Sequence, residues 1–378
     1  MKVTVTTFGS AGDLFPLLPV ASALRERGHE VRWVVPRSLG LYLRSIGDGA
    51  SVWGDGSEMR FASDRCLTTA RLGGWVSWRH VLDVYVRPGL LGDVEVVRGH
   101  LRQARPDVLV TSGFAVPGRI ASMLEDVGFL ECSIYPQHQE IGSRSQFAQR
   151  LQSDIAAAYG FSDAVARRLA FGTPADVMLH DPAMVDLGQP TVGYPYWDGV
   201  PVSDATIDVV KDWLGSSAQP AFLCTMGSFL GSASKTIWED MHALTTSLDI
   251  RVALVGPGAY PFPTSSSCLA VATFIPLSRI VDGFGAVVHH GGLGTCFAAL
   301  HAGVPSVVLP QAFDQPYNAA LLEGLGVGVN GQHVPLPTAI ERVLSNVGIR
   351  DAAGLLSTRL VSPETAARKA ADLIEQAV

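Results

Sequence analysis

The chain is short of charge. Only 17 % of its 378 residues are Asp, Glu, Lys or Arg, below the ~25 % of ordinary soluble proteins. Lys and Arg number 28 against 35 Asp and Glu, a formal charge of −7, and no basic block occurs. Binding to a nucleic acid polymer, which needs clustered cations to neutralise phosphates, is therefore not expected. The five cysteines are odd in number and form no CxxC pair, which argues against a zinc ribbon or a dithiol redox motif. Scattered single thiols fit buried positions in a reducing compartment, so a cytoplasmic location is expected. No apolar run approaches 18 residues, so no transmembrane segment is expected. The opening Met1 to Gly9 reads as a strand and turn rather than a signal peptide. GxGxxG, a Walker lysine, GxSxG, HExxH, a metal-type carboxylate cluster and repeats of 20–50 residues are also missing.

Glycine and proline are plentiful, at 39 and 23 residues, and 47 % of the chain is hydrophobic. A disordered or fibrous chain is thereby excluded, and the length suits two or three domains. Short β-branched runs alternate with segments of helical period. Val3 to Thr7 precedes a helix from Leu14 to Arg27 that stops at Gly28, and Glu30 to Val35 is the next strand. The second half repeats the pattern, with strands at 221–225, 251–255, 269–274, 286–289 and 306–309 and helices at 235–247, 295–301, 315–325 and 338–346. Such alternation predicts an α/β chain of two Rossmann-like, doubly wound parallel sheets facing a cleft. The expected boundaries are an N-terminal domain over 1–195, a linker over 196–217, a C-terminal domain over 218–361 and a terminal helix over 362–378 packing back toward the N-terminal domain.

In doubly wound sheets ligands bind beyond the carboxyl ends of the strands, so strand-to-helix turns carry most weight. The strongest is His289-His290-Gly291-Gly292-Leu293-Gly294-Thr295. A buried strand enters a glycine-rich turn that opens a helix, where exposed amides and the helix dipole suit an anion. The bland alternative is a strand–turn–helix with glycines for packing; the two histidines and Thr295 favour phosphate binding. Asp314-Gln315 follows the 306–309 strand and fits either a helix N-cap or a group for sugar hydroxyls. Asp13 sits in the first turn, as an N-cap or as a carboxylate able to accept a proton from an alcohol. Gly227-Ser228 closes the 221–225 strand as an ordinary turn or as part of the phosphate pocket. Trp78 and His138 are weak acceptor-site candidates, since Trp more often means packing and a lone loop His is more often simply exposed. The Tyr194-Pro195-Tyr196-Trp197 aromatics read as a stiff hinge rather than a ligand platform.

Together these residues resemble the GT-B glycosyltransferases of glycosyltransferase family 1, in the bacterial branch that decorates natural products, sterols and lipids. The turn Gly9-Ser10-Ala11-Gly12-Asp13-Leu14-Phe15-Pro16 and Arg27-Gly28-His29-Glu30-Val31 look like the family's G-[ST]-x-G-D-x-x-P and R-G-H-x-V motifs. Phe274-Ile275-Pro276-Leu277, the His290 turn, Ala302-Gly303-Val304-Pro305 and Asp314-Gln315 follow its C-terminal signature in order. The resemblance implies that His290 and the amides from Gly291 to Thr295 hold a donor diphosphate, helped by Gly227 and Ser228. It implies that Ile275 meets the nucleobase through its backbone, that Asp314 and Gln315 bind the sugar, and that Asp13 is the catalytic base. Ala298 stands where plant members place a ribose-binding Glu, which leaves UDP and dTDP both open. Asp107 is a poor match for the partner of a base.

The implied reaction is an inverting, metal-independent hexosyl transfer to a hydroxyl of a small-molecule acceptor, with UDP-glucose as the expected donor and no cofactor. A carboxylate is a weak base for an alcohol, so proton transfer must accompany bond formation. The alternatives are a non-catalytic auxiliary partner of a glycosyltransferase and a sugar-nucleotide epimerase on the same fold. The expected state is a monomer or homodimer.

Overall fold

The computed structural model describes residues 1–8, 11–53, 87–113, 115–134, 146–171, 176–199, 202–227, 235–256, 262 and 264–378. The chain divides into two compact units. Described residues of 1–197 together with 361–378 form the first, and 198–360 form the second.

The first unit is built on six parallel strands in the order β3-β2-β1-β4-β5-β6. They are β1 Lys2–Thr6, β2 Glu30–Pro36, β3 Ala50–Trp53, β4 Val108–Thr111, β5 Phe129–Ser133 and β6 Val177–Met178. The second has six parallel strands in the order β12-β11-β10-β7-β8-β9. These are β7 Ala221–Thr225, β8 Arg251–Val255, β9 Cys268–Val271, β10 Ala286–His289, β11 Ser306–Val308 and β12 Gly328–Asn330. Counted within its own unit, each sheet runs 3-2-1-4-5-6, so the strand order reverses between β1 and β4 in one and between β7 and β10 in the other. These two reversals are where such sheets open to ligands.

Low charge follows from strands buried on both faces. Side chains alternate across the second sheet with period two. Phe222, Cys224, Val252, Leu254 and Val288 pack on one side with Trp238 and Met241, while Ala221, Leu223, Ala253, Val255 and Val287 pack on the other with Ile207, Val210 and Trp213.

The stretch expected as a linker differs from expectation. It contains a helix, Asp204–Gly215, whose Ile207, Val210 and Trp213 enter the core of the second unit. Three apolar residues on one helical face hold it there, despite the Pro- and Gly-rich stretch just before it. The fully buried Arg251 fastens its end. Its guanidinium donates to the carbonyls of Trp213, Leu214 (3.1 Å) and Ser217 (3.2 Å), satisfying acceptors that a helix C-terminus leaves open, and lies 3.9 Å from the Trp213 ring.

The last helix, Pro363–Gln376, belongs to the first unit. Ser362 caps it by accepting the Thr365 N–H. Its alanine face, Ala366, Ala367, Ala370 and Ala371, is buried, and Gly193, at φ +105°, leaves room for it: a Cβ there would lie 2.9 Å from the Ala366 Cβ. On the polar side Arg27 pairs with Asp372 (2.8 Å) and Glu375 (2.6 Å), and His29 with Glu375 (2.5 Å). The Arg27-Gly28-His29 motif is thus a clasp for the returning helix. Trp197 packs on Phe15, 4.9 Å between ring centres, within the same unit. Among the described residues no helix is long and apolar enough to cross a membrane.

Replacing Arg251 by Met keeps much of its apolar bulk but leaves several buried carbonyls unpaired. A loss of about 2–4 kcal/mol is expected, read as an earlier chemical unfolding midpoint.

Candidate functional site

Each unit carries candidate site residues at its own strand reversal. In the first unit β1 and β4 run side by side, Thr6 opposite Thr111. That register brings the next residues together: Thr7 Oγ1 donates to Ser112 Oγ at 2.9 Å, which also accepts the Phe8 N–H at 3.3 Å. Beyond β1 a single helical turn, Ala11–Leu14, carries Asp13, 8 % exposed. Asp13 and Ser112 line one pocket whose other walls include Pro16, Leu17, Cys132, Ile134 and Leu179. A carboxylate and a hydroxyl therefore line a small, mostly apolar cavity with room for about one water. Asp107 lies at the opposite ends of the same strands and accepts the Lys2 N–H at 2.6 Å, so it is no partner for Asp13.

The turn after β4 is held from behind by Arg119, which is fully buried. It donates to the carbonyls of Gly113 (2.8 Å), Leu169 (2.9 Å) and Ala170 (3.2 Å) and pairs with Glu131 at 3.4 Å. A buried cation with this many acceptors fixes the pocket wall.

In the second unit β10 pairs with β7, His289 opposite Thr225, and the two strand ends leave together. His290 is 8 % exposed. A Cβ on Gly227 would lie 2.5 Å from its Cε1, and one on Gly292 would lie 2.4 Å from its Nε2. Both glycines are therefore there to seat the imidazole. Burial pushes His290 down to about 4, so the ring is neutral near pH 7 and offers one N–H. Its Nδ1 is buried without a hydrogen-bond partner. His289 is pushed down to about 3 by burial and by His290 beside it.

The helix Leu293–His301 begins at the N-cap Gly292. Not all amides of the turn are available to a ligand. The Gly291 N–H donates to His289 Nδ1 at 3.1 Å, and the Thr295 N–H to the Gly292 carbonyl at 3.0 Å. The expectation that every amide from Gly291 to Thr295 serves an anion is corrected accordingly. The amides of Gly292, Leu293 and Gly294 remain, with the half-buried Thr295 side chain. Gly292 and Gly294 are likewise only half-buried.

Asp314 opens the helix Gln315–Gly324 without capping it through its side chain. Its Oδ2 instead accepts from Asn318 Nδ2 at 2.7 Å. Gln315 Oε1 accepts the N–H groups of Gln311 (2.8 Å) and Ala312 (2.9 Å), so only its NH2 end can turn toward a ligand. The intervening Phe313 has φ +57°, a strained conformation for an aromatic residue and a mark of functional turns. The Ile275 side chain is 5 % exposed and lies in the core. Only its backbone could meet a base, whereas Phe274 before it is 36 % exposed. Ala298 is buried and apolar, with no carboxylate for a ribose.

Ser228, His138 and Trp78 lie outside the described residues. Ser112, Asn318 and the bond from Gly291 to His289 were not foreseen. The Asn318 signal was present in the sequence, four residues after Asp314 at a helix start. Among the described residues no group of three or more His, Cys, Asp or Glu could hold a metal.

Residues 265–375 match the family model described as the erythromycin biosynthesis protein CIII-like, C-terminal domain. The chain is 25 % identical to tylactone mycaminosyltransferase of Streptomyces fradiae, covering 97 % of this chain and 90 % of that one. Its fold is that of solved GT-B glycosyltransferases. It matches the Streptomyces sp. SF2575 glycosyltransferase SsfS6 complexed with thymidine diphosphate at a TM-score of 0.73 and 23 % identity, covering 100 % of this chain and 99 % of that one. It matches spinosyn rhamnosyltransferase SpnG complexed with spinosyn aglycone at 0.70 and 20 %, covering 100 % of both.

The seating of His290 is open to test. Gly292 has φ −65° and ψ 138°, so alanine fits the backbone there and only the ring must move. Gly292→Ala should retain its circular dichroism and weaken calorimetric binding of thymidine or uridine diphosphate by about tenfold or more. A second test uses pH. With folded values near 4 and 3 against an ordinary 6.5, the unfolded chain takes up these protons first. The two histidines therefore cost no stability above pH ~6.5, and stability falls as pH drops from there toward 4 and 3. Unfolding curves of the wild type and His290→Asn should converge as the pH is lowered through this window.

Proposed function

We propose that the chain, which shares the GT-B fold and a whole-length likeness to natural-product glycosyltransferases, transfers a hexose from a nucleoside diphosphate sugar to a hydroxyl of an apolar small molecule. The observation that carries this is the neutral, buried His290 ring seated by Gly227 and Gly292 at the start of a helix. An imidazole N–H, the amides of Gly292 to Gly294 and the helix dipole form a fixed donor array for a diphosphate.

In the reaction the acceptor oxygen attacks the anomeric carbon while Asp13 takes its proton. The bond from the anomeric carbon to the diphosphate oxygen breaks, and configuration inverts. Charge grows on the leaving diphosphate, where the fixed donors stabilise it; removal of one such donor costs roughly 10²–10³ in rate in comparable sites. Proton transfer to a placed carboxylate contributes ~10²–10⁴. In this reading the leaving-group charge is met by the protein's own donors, and the route is metal-independent.

Thymidine diphosphate sugars are favoured over uridine ones, supported by the thymidine diphosphate held by SsfS6. The commitment of Gln315 Oε1 and Asp314 Oδ2 to protein partners leaves fewer groups for sugar hydroxyls than their sequence suggests. That supports a donor sugar with fewer hydroxyls than glucose. Tylactone and spinosyn aglycone, named with two of the similar proteins, support a polyketide-type acceptor.

A panel of dTDP- and UDP-hexoses against hydroxylated polyketide aglycones, read by mass spectrometry, should give a monoglycosylated product. Asp13→Asn should lower turnover at least 100-fold with nucleotide affinity kept, and His290→Ala should lower both. Full turnover by Asp13→Asn would remove the base assignment.

A further inference from the structure

The buried Asn318, 3 % exposed, joins the glycine turn to the candidate sugar site. Its Nδ2 gives both its protons away, one to the Gly291 carbonyl at 2.8 Å and one to Asp314 Oδ2 at 2.7 Å. The acceptors are far apart in sequence. Asp314 opens the same helix, while Gly291 lies 27 residues upstream in the turn that seats His290.

Gly291 is held by both its polar groups, since its N–H goes to His289 and its carbonyl to Asn318. It is also at φ +94°, and a Cβ there would meet Val308 Cγ1 at 2.8 Å and the Gln315 carbonyl oxygen at 3.2 Å. The turn and the helix start are therefore pressed together with no room to slide. Asp314 makes no side-chain capping bond, but its Oδ2 accepts from Asn318 one turn along the same helix. The Asn318 amide thus ties that carboxylate oxygen and the Gly291 carbonyl to one group, and losing it removes a shared restraint on both.

We propose that Asn318 is a positioning residue that registers the Asp314 carboxylate to the diphosphate turn, so that donor sugar and diphosphate are held in one fixed relation. This rests on the donor-site reading above. The chemistry requires such registration, because the anomeric carbon must stand in line with the leaving oxygen. A misplacement of ~1 Å in comparable sites costs ~10²-fold. A side chain with two protons and two acceptors supplies it without placing a charge beside the diphosphate.

The test uses the full chain, Asn318→Ala and Asn318→Asp, each alone and combined with Asp314→Ala. Asn318→Asp keeps the volume and removes both donors, and it carries the test if Asn318→Ala does not fold. The ligands are thymidine and uridine diphosphate, and the sugar donor that the wild type turns over. Each single variant should raise KM for the sugar donor about tenfold and lower kcat, with the affinity for the sugar-free diphosphate changed less than threefold. In the Asp314→Ala background the second substitution should add less than twofold. Equal losses for both ligands with additive effects would overturn the proposal in favour of a general structural role, and so would an unchanged KM. A wild type that binds no nucleotide would instead overturn the donor-site reading, and this inference with it.

Discussion

The parallel pairing of β7 with β10 is the constraint on which the second unit's site depends. Because His289 stands opposite Thr225, the chain leaves both strands at the same level. Gly227 is thereby brought against the ring of His290, with Gly292 on the ring as well. Any side chain larger than hydrogen at either glycine would occupy the imidazole's place. Once the ring is seated it is buried, and burial makes it neutral. Its neutrality follows from packing, not from a charged partner.

The first unit solves a related problem with different residues. There β1 and β4 leave together, and the hydroxyls of Thr7 and Ser112 join the two turns. Asp13 and Ser112 then line the same pocket. In both units the supporting side chains are buried and polar but do not face a ligand: Arg119 behind the Ser112 turn, Asn318 behind the Gly291 turn. Such groups are costly to bury unless they are hydrogen-bonded. Arg119 and Asn318 offset that cost by donating to backbone carbonyls and to one carboxylate each.

Much of this was legible in the sequence because the two periods are distinct. The strands at 221–225, 251–255 and 286–289 and the helix at 235–247 fall where the apolar pattern places them. β3, β6 and β12, of four, two and three residues, were not foreseen, since runs this short establish a period poorly. The helix Asp204–Gly215 was hidden by the Pro- and Gly-rich stretch before it, and its apolar face shows only once Arg251 and the sheet are in place. His290 and Asp13 stood out as reactive types at strand ends. Ser112 did not, since a hydroxyl is informative only when its partners are known, and Asn318 was passed over although it stands four residues after Asp314 at a helix start. The bond from Gly291 to His289 depends on a ring orientation that no spacing encodes.

The low and negative charge of the chain acquires a meaning from these details. With a formal charge of −7 and no basic cluster, the protein as a whole does not attract an anion. The proposed diphosphate site also has a neutral histidine rather than a cation at its mouth. What remains is the oriented amides of Gly292 to Gly294, the dipole of a nine-residue helix and one imidazole N–H. An array of fixed dipoles stabilises charge that appears at a defined place, and it needs no reorganisation when that charge develops. The price is geometric: dipoles act only over short distances, so every element that sets their position matters. Seating His290 with two glycines and tying Gly291 at both ends meets that demand.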